Sequence, residues 1–361
     1  MACAGFDGQV VRQDSKLNHL ADKFVKVRLV QMKDVDLSQF QFDYDLTWSV
    51  IFMNPDGTIY GRYGSRSVGG PMTYNSMVSL EKAMERVLVL HHNYPSNRKS
   101  LNGKNHPPPC WKTAADIPGL RKRRRKQLIQ PTNQKNCVHC HNIYDGWIET
   151  AYDQGTFDQQ SLWIYPLPKN IGFKINVDQG NLVETILPDS LAQKAGIQAG
   201  DRIVSMKDQP IISIADIQWV LHHLSKVANL SIEIERNGKV LSKIIAVSGN
   251  WRRTDISWRA SMWSLQPKVG IHAPEISEVE KSELGLDPQA MALQAKWIPN
   301  KGAREAGLRN GDIIIEVAGN KKAISTAQFN LFIRLNYDSG DRVPVKVLRH
   351  SKVIPMELPM P

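Results

Sequence analysis

Two stretches decide the fold: Ala195-Gly196-Ile197-Gln198-Ala199-Gly200-Asp201-Arg202-Ile203 and Ala306-Gly307-Leu308-Arg309-Asn310-Gly311-Asp312-Ile313-Ile314. Both follow one pattern, Ala-Gly-apolar-x-x-Gly-Asp-x-Ile. In each, a short helix is expected to end at Gly196 or Gly307, in the left-handed conformation that glycine adopts without a Cβ penalty. Gly-Asp then turns the chain into a buried strand, Ile203-Val204 or Ile313-Ile314-Ile315. Upstream, Ile171-Gly172-Phe173-Lys174-Ile175 and Leu182-Val183-Glu184-Thr185-Ile186 read as strands, and Val269-Gly270-Ile271 holds the place of the former in the second copy. Downstream, a longer helix is expected over 214–224, with Ile214, Ile217, Val220, Leu221 and Leu224 on one face, and another over 326–335. The chain therefore contains an internal repeat. Four zones follow, 1–94, 95–165, 166–249 and 250–361, in a multidomain α/β and β-rich α+β chain.

The repeated unit resembles the PDZ family, in the form found as tandem modules in HtrA-like proteases. PDZ modules take up an extended chain end as an added strand between a sheet edge and a helix. The resemblance implies partners that are protein C-termini or extended peptides. It places carboxylate-binding loops at Ile171, Gly172 and Phe173 and at Val269, Gly270 and Ile271. The alternative for either copy is a structural spacer with a filled groove. No Gly-x-Ser-x-Gly and no His-Glu-x-x-His occurs, so no protease site is expected.

In the first zone, Phe24–Val30, Trp48–Met53 and Thr58–Tyr63 read as strands, with Asn54-Pro55-Asp56-Gly57 as the turn between the last two. An amphipathic helix is expected over 74–92, carried by Met77, Leu80, Met84, Val87 and Leu88. This order resembles the second half of a thioredoxin fold, a partial thioredoxin-like domain with Trp48 in the place of that family's cis-proline. The resemblance implies that Cys3 is the resolving thiol of an incomplete Cys-x-x-Cys pair. Phe40–Trp48, Gly57–Gly64 and Trp251–Arg259, together with the repeats, are similar to a bacterial family of thioredoxin-like/PDZ (seleno)proteins. That likeness implies a selenocysteine or cysteine directly before Met1.

The second zone reads as an irregular linker with a Cys-His cluster. Cys137-Val138-His139-Cys140-His141 matches the C-x-x-C-H pattern of haem c attachment, in which two thioethers anchor the porphyrin and the histidine reaches the iron. No methionine lies between Met84 and Met206, so a distal ligand such as His106, or an open site, is expected. Two further readings stay open. His106, Cys110, Cys137 and Cys140 offer four zinc-type ligands, and Cys137 with Cys140 offers a redox dithiol.

The net charge is +11, with six basic residues in a row from Arg121 to Lys126. That run reads as a solvated segment or a peripheral contact with anionic lipid. No aromatic interleaving points to nucleic acid. No apolar run is long enough to span a bilayer. Trp251, Trp258 and Trp263 are expected to pack the second repeat. From Met1 the chain shows no signal peptide, which taken literally predicts the cytoplasm. Haem attachment and disulfides instead predict the periplasm or cell envelope. The composite expectation is a redox-linked protein-binding factor with a redox partner protein; a haem electron carrier with docking modules and a non-catalytic PDZ scaffold are the alternatives.

Overall fold

The Asn54–Gly57 turn behaves as its sequence dictates. Gly57 N and Asn54 N donate to Asn54 O and Thr58 O, and the flanking strands β1 (Val50–Met53) and β2 (Ile59–Tyr63) pair antiparallel, Val50 opposite Tyr63. A short helix α1 (Ser15–Ala21) precedes them and α2 (Met77–His92) follows. Ser76 caps α2 in a reciprocal capping box with Ser79, which satisfies two otherwise orphaned N–H groups. Leu80, Ala83, Met84 and Val87 bury one face of α2 on Tyr60, Tyr63, Leu17 and Leu20. The computed structural model describes residues 15–107, 110–131 and 137–361.

Residues 25–30 are not a strand. The segment joins no ladder, and Val25 and Val27 are 95% and 80% exposed. β-branched residues favour a strand only when a neighbour supplies packing and hydrogen bonds. The hairpin and the helix after it form, and the strand read over Phe24–Val30 does not.

The zone read as an irregular linker carries two long helices, α3 (Pro118–Ile129) and α4 (His141–Asp153), and a one-turn helix at Arg98–Leu101. Pro118 opens α3 at a position where its missing N–H costs nothing. Leu120 and Leu128 of α3, with Ile117 just before it, meet Val138, Ile143 and Tyr144 in a core shared with Met32, Leu37 and Tyr44. Thr150 Oγ1 accepts from Gly119 N across the pair. The basic run therefore lies in helical backbone broken by a kink at Arg124, with the apolar residues that fold it placed on either side of the charges.

The first repeat comprises β3 (Phe173–Ile175), β4 (Val183–Ile186), α5 (Leu191–Lys194), β5 (Arg202–Met206), β6 (Gln209–Pro210), α6 (Ile214–His222), β7 (Ala228–Arg236) and β8 (Lys239–Val247). Its sheets are β3-β4 and β6-β5-β7-β8. The second repeat comprises β9 (Leu293–Gln294), α7 (Lys301–Glu305), β10 (Ile313–Val317), α8 (Thr326–Asn336), β11 (Arg342–Arg349) and β12 (Lys352–Pro359). Its sheet runs β12-β11-β10-β9.

The two repeats close their short helices with the same bonds. Gly196 N reaches Gln193 O and Ile197 N reaches Ala192 O; Gly307 N reaches Arg304 O and Leu308 N reaches Ala303 O. These are Schellman closures on a left-handed glycine. In each Gly-Asp turn the aspartate accepts a bidentate arginine: Arg236 on Asp201 at 2.6 and 2.8 Å, Arg349 on Asp312 at 2.6 Å for both contacts. Each arginine also donates to the helix-ending carbonyl, Gly196 O or Gly307 O. Burial pushes the Asp312 carboxyl up, but the Arg349 and Arg309 N–H donors outweigh it and hold it below its ordinary value.

By internal contacts the chain divides into two units, Met1–Arg259 and Ala260–Pro361. The first repeat thus shares a unit with the N-terminal half. Trp251 packs in the core of the first repeat and donates from its indole to Lys226 O. That corrects its expected place beside the second, where Trp263 alone of the three lies, half exposed under Arg334.

Candidate peptide-binding site

Each repeat sets a strand edge against its longer helix. In the first, Leu187 N donates to Gly172 O and Asn176 N to Leu182 O, with Phe173 opposite Ile186 and Ile175 opposite Val183. The alternation of an antiparallel ladder then turns the backbones of Phe173 and Ile175 away from β4. Ile171 ends a 3-10 turn, Gly172 follows at φ +109°, and both are buried with Phe173.

In the second repeat the same alternation is written out bond by bond. Gly270 O accepts from Asn300 N, His272 O from Lys296 N and Trp297 N, and Pro274 O from Gln294 N. Ile271 and Ala273 lie between those positions and face α8. Ala273 O accepts from Thr326 Oγ1 at 2.6 Å, and Ile271 O from Asn330 Nδ2 at 3.4 Å. Val269 and Ile271 are core residues. Thr326, Ala327, Gln328 and Phe332 are half-buried, so α8 keeps a partly open face.

Helix α6 keeps none: every residue from Ile214 to Leu221 is buried. Its outer face lies against the N-terminal half. Asp216 pairs with Lys104 at 2.8 Å, both side chains wholly buried, and accepts from Arg62 N and Ile212 N. Ser213 Oγ donates to Arg62 O, and Trp219 Nε1 to Gly103 O. The Arg62 guanidinium sits 3.5 Å from the Trp219 ring centre. A Cβ on Gly61 would fall 2.5 Å from Ile212 Cδ1, so only glycine admits this approach. Burial pulls the Arg62 guanidinium down to about 10, against the attraction of Asp216. Burial likewise lowers Lys104, with Asp216 opposing. Gln218 donates to Tyr165 O while its own Oε1, buried, has no partner.

At the C-terminal end of α6, rings stack in series. Tyr165 lies 4.0 Å from His222, and His223 lies 4.1 Å from both Trp219 and His106. Burial is the largest cause depressing His223, to about 4, and His222, well below its ordinary value.

Cys140 stands at the start of α4, exposed, and Cys137 is half-buried; neither is in a disulfide. Val138 between them is fully buried, its carbonyl accepting from Met32 N. His141 Nδ1 faces Asp145 Oδ2 at 3.6 Å and Asn142 Nδ2 at 3.3 Å. Two thiols followed directly by an imidazole are the donor types that haem c attachment uses. Of the zinc-type set, Cys110 is exposed and His106 stacks on His223. Among the described residues no three His, Cys, Asp or Glu side chains group to hold a metal ion. Cys3 lies outside the described residues.

Sequence reasoning missed Arg62, Lys104, Asp216, Thr326 and Asn330. The available signal was Asp216 itself, an acid set inside the apolar run from Ile211 to Leu221, which burial obliges to find a partner.

Residues 170–247 match the PDZ domain family, so the chain carries a PDZ domain there. A probable periplasmic serine endoprotease DegP-like of Pseudomonas putida is 28% identical over 189 residues, 50% of this chain and 38% of that protein. Its counterpart in a Marinomonas species is 27% identical over 187 residues, 52% and 38%. The chain thus spans under two-fifths of the length of these curated relatives. Among solved structures, the HtrA3 PDZ domain bound to a phage-derived ligand (FGRWV) is 26% identical, covering 21% of this chain and 81% of that one, with a TM-score of 0.19. The serine endoprotease from Yersinia pestis is 24% identical, covering 19% and 25%, with a TM-score of 0.18.

Proposed function

We propose that this chain is a non-catalytic protein-binding scaffold of the periplasm in which the two repeats do different work. The PDZ domain at 170–247 holds the N-terminal half through its buried helix α6. The second repeat, PDZ-like in element order, presents a groove between Ile271–Ala273 and α8 to an extended peptide or chain end. The observation that carries this is the difference between the helices: every residue of α6 from Ile214 to Leu221 is buried, whereas Thr326, Gln328 and Phe332 of α8 are only half-buried. The names of the DegP-like relatives support the periplasm, and no described helix is long and apolar enough to cross a membrane. The test is fluorescence anisotropy with a labelled peptide ending in Phe-Gly-Arg-Trp-Val, as the free acid and as the C-terminal amide. The free acid is expected to bind and to protect backbone amides near 271–273 from exchange. Equal binding of acid and amide would remove chain-end recognition, and no binding of either would remove the scaffold reading.

The Cys137–His141 motif supports a second reading, a haem electron carrier with PDZ docking modules. Haem would supply one-electron chemistry. Cys137 and Cys140 would anchor it, His141 would ligate, and Asp145 would fix the ring. The intact mass of protein made in a periplasmic haem-maturing host decides it: one added haem supports the reading, and a bare chain mass ends it. The redox reading through Cys3 rests on the thioredoxin resemblance alone.

A further inference from the structure

We propose that the peptide edge of the second repeat is latched shut by its own helix, with Thr326 and Asn330 as the gate residues. This rests on the reading of that repeat as peptide-binding. An added strand forms by donating its N–H groups to outward carbonyls of the edge it joins. In this edge the outward carbonyls are Ile271 O and Ala273 O, because Gly270, His272 and Pro274 spend theirs on the sheet side. Both outward carbonyls are already taken, by Asn330 Nδ2 and Thr326 Oγ1. The two donors sit four residues apart on one face of α8, matching the two-residue spacing of the acceptors on the strand. Asn330 is itself held by a bond to Thr326 O at 2.8 Å, which aims its amide.

The first repeat shows that the fold does not require this latch. Ile214 and Gln218 hold the corresponding places on α6. Isoleucine has no donor, and Gln218 gives its amide hydrogen to Tyr165 O instead. The latch therefore belongs to the second repeat, and what it governs is access. A ligand N–H directed at Ala273 O competes with a hydroxyl bond of 2.6 Å already made to that carbonyl. The occupant is an extended peptide whose backbone supplies two N–H donors, spaced two residues apart, to those carbonyls.

The experiment uses the full chain and a fluorescein-labelled decapeptide ending in a free-carboxyl valine, read by anisotropy and by amide exchange at Ile271 and Ala273. Thr326→Val removes the donor at constant volume, and Thr326→Ser keeps it. T326V is expected to bind roughly tenfold more tightly than the unaltered chain, the worth of about one hydrogen bond, with T326S unchanged and 271–273 protected. Thr326→Ala gives the same comparison should valine disturb the packing. If the peptide protects 271–273 equally well in every variant with no gain in affinity, the latch is wrong and the peptide-binding reading survives. If the peptide protects 271–273 in none of them, both fall.

Discussion

The paired histidines at the end of α6 are a case where a residue's surroundings set its chemistry. His222 and His223 are ringed by Tyr165, Trp219 and His106, and Arg252, Arg62 and Arg259 add positive charge nearby. Burial, then these like charges, disfavours the imidazolium. The folded pKa values therefore lie below the unfolded one, about 6.5. On acidification the unfolded chain takes up protons first, so this contribution to stability is whole above pH ~6.5 and is lost as pH falls toward about 4, where His223 titrates. Urea midpoints measured at pH 7.5 and pH 5 should show a clear fall, and His223→Phe should reduce it. Identical midpoints for the unaltered chain would contradict the depressed values. Sequence gave no access to this: adjacent histidines near a helix end usually sit at the surface, and the rings stacked on His223 come from positions as remote in sequence as His106.

The elements divide by how local their causes are. The repeats were legible because their signals are local: a glycine that must be left-handed, an aspartate that caps the next turn, serine caps at Ser213 and Ser325. The basic helix α3 was hidden because its charges mask the residues that fold it, Leu120 and Leu128. Phe24–Val30 misled because β-propensity says nothing about whether a partner strand is at hand. The N-terminal contact of α6 was invisible because Lys104 and Asp216 are far apart in sequence. That pair makes a sharp prediction. Asp216→Ala leaves the Lys104 ammonium without its carboxylate in a site closed to solvent, and removes the acceptor for Arg62 N and Ile212 N. The expected loss is about 3–5 kcal/mol, read by urea unfolding of the full chain. Replacing both residues, K104M with D216L, should recover the part due to the unpaired ammonium but not the part due to Arg62 N and Ile212 N, which stay without an acceptor. A single substitution costing under ~1 kcal/mol would show that the site admits water.

At the scale of the molecule, the two repeats share their motifs but differ in what they depend on. The second closes its own core: among the described residues, the cluster of Val269, Leu293, Ile314, Phe329, Ile333, Val345 and Leu358 draws only on Ala260–Pro361. The first draws Phe42 into its core and covers α6 with Arg62, Gly103 and Lys104. The consequence appears when the chain is cut. Residues 260–361 made alone should unfold in one cooperative transition, read by circular dichroism. Residues 166–259 made alone should be less stable than the same residues within 1–259. Ile212 and the outer face of Trp219 become exposed, and burial of two such side chains contributes about 3 kcal/mol or more. The measurement is the urea midpoint of the fragment against that of the longer piece, followed through the first repeat's own amides. A lower midpoint for 166–259 means that the PDZ domain has given its helix to the N-terminal half as a structural joint. An equal midpoint means that the joint contributes nothing to its stability, and the division of work between the repeats loses its physical basis.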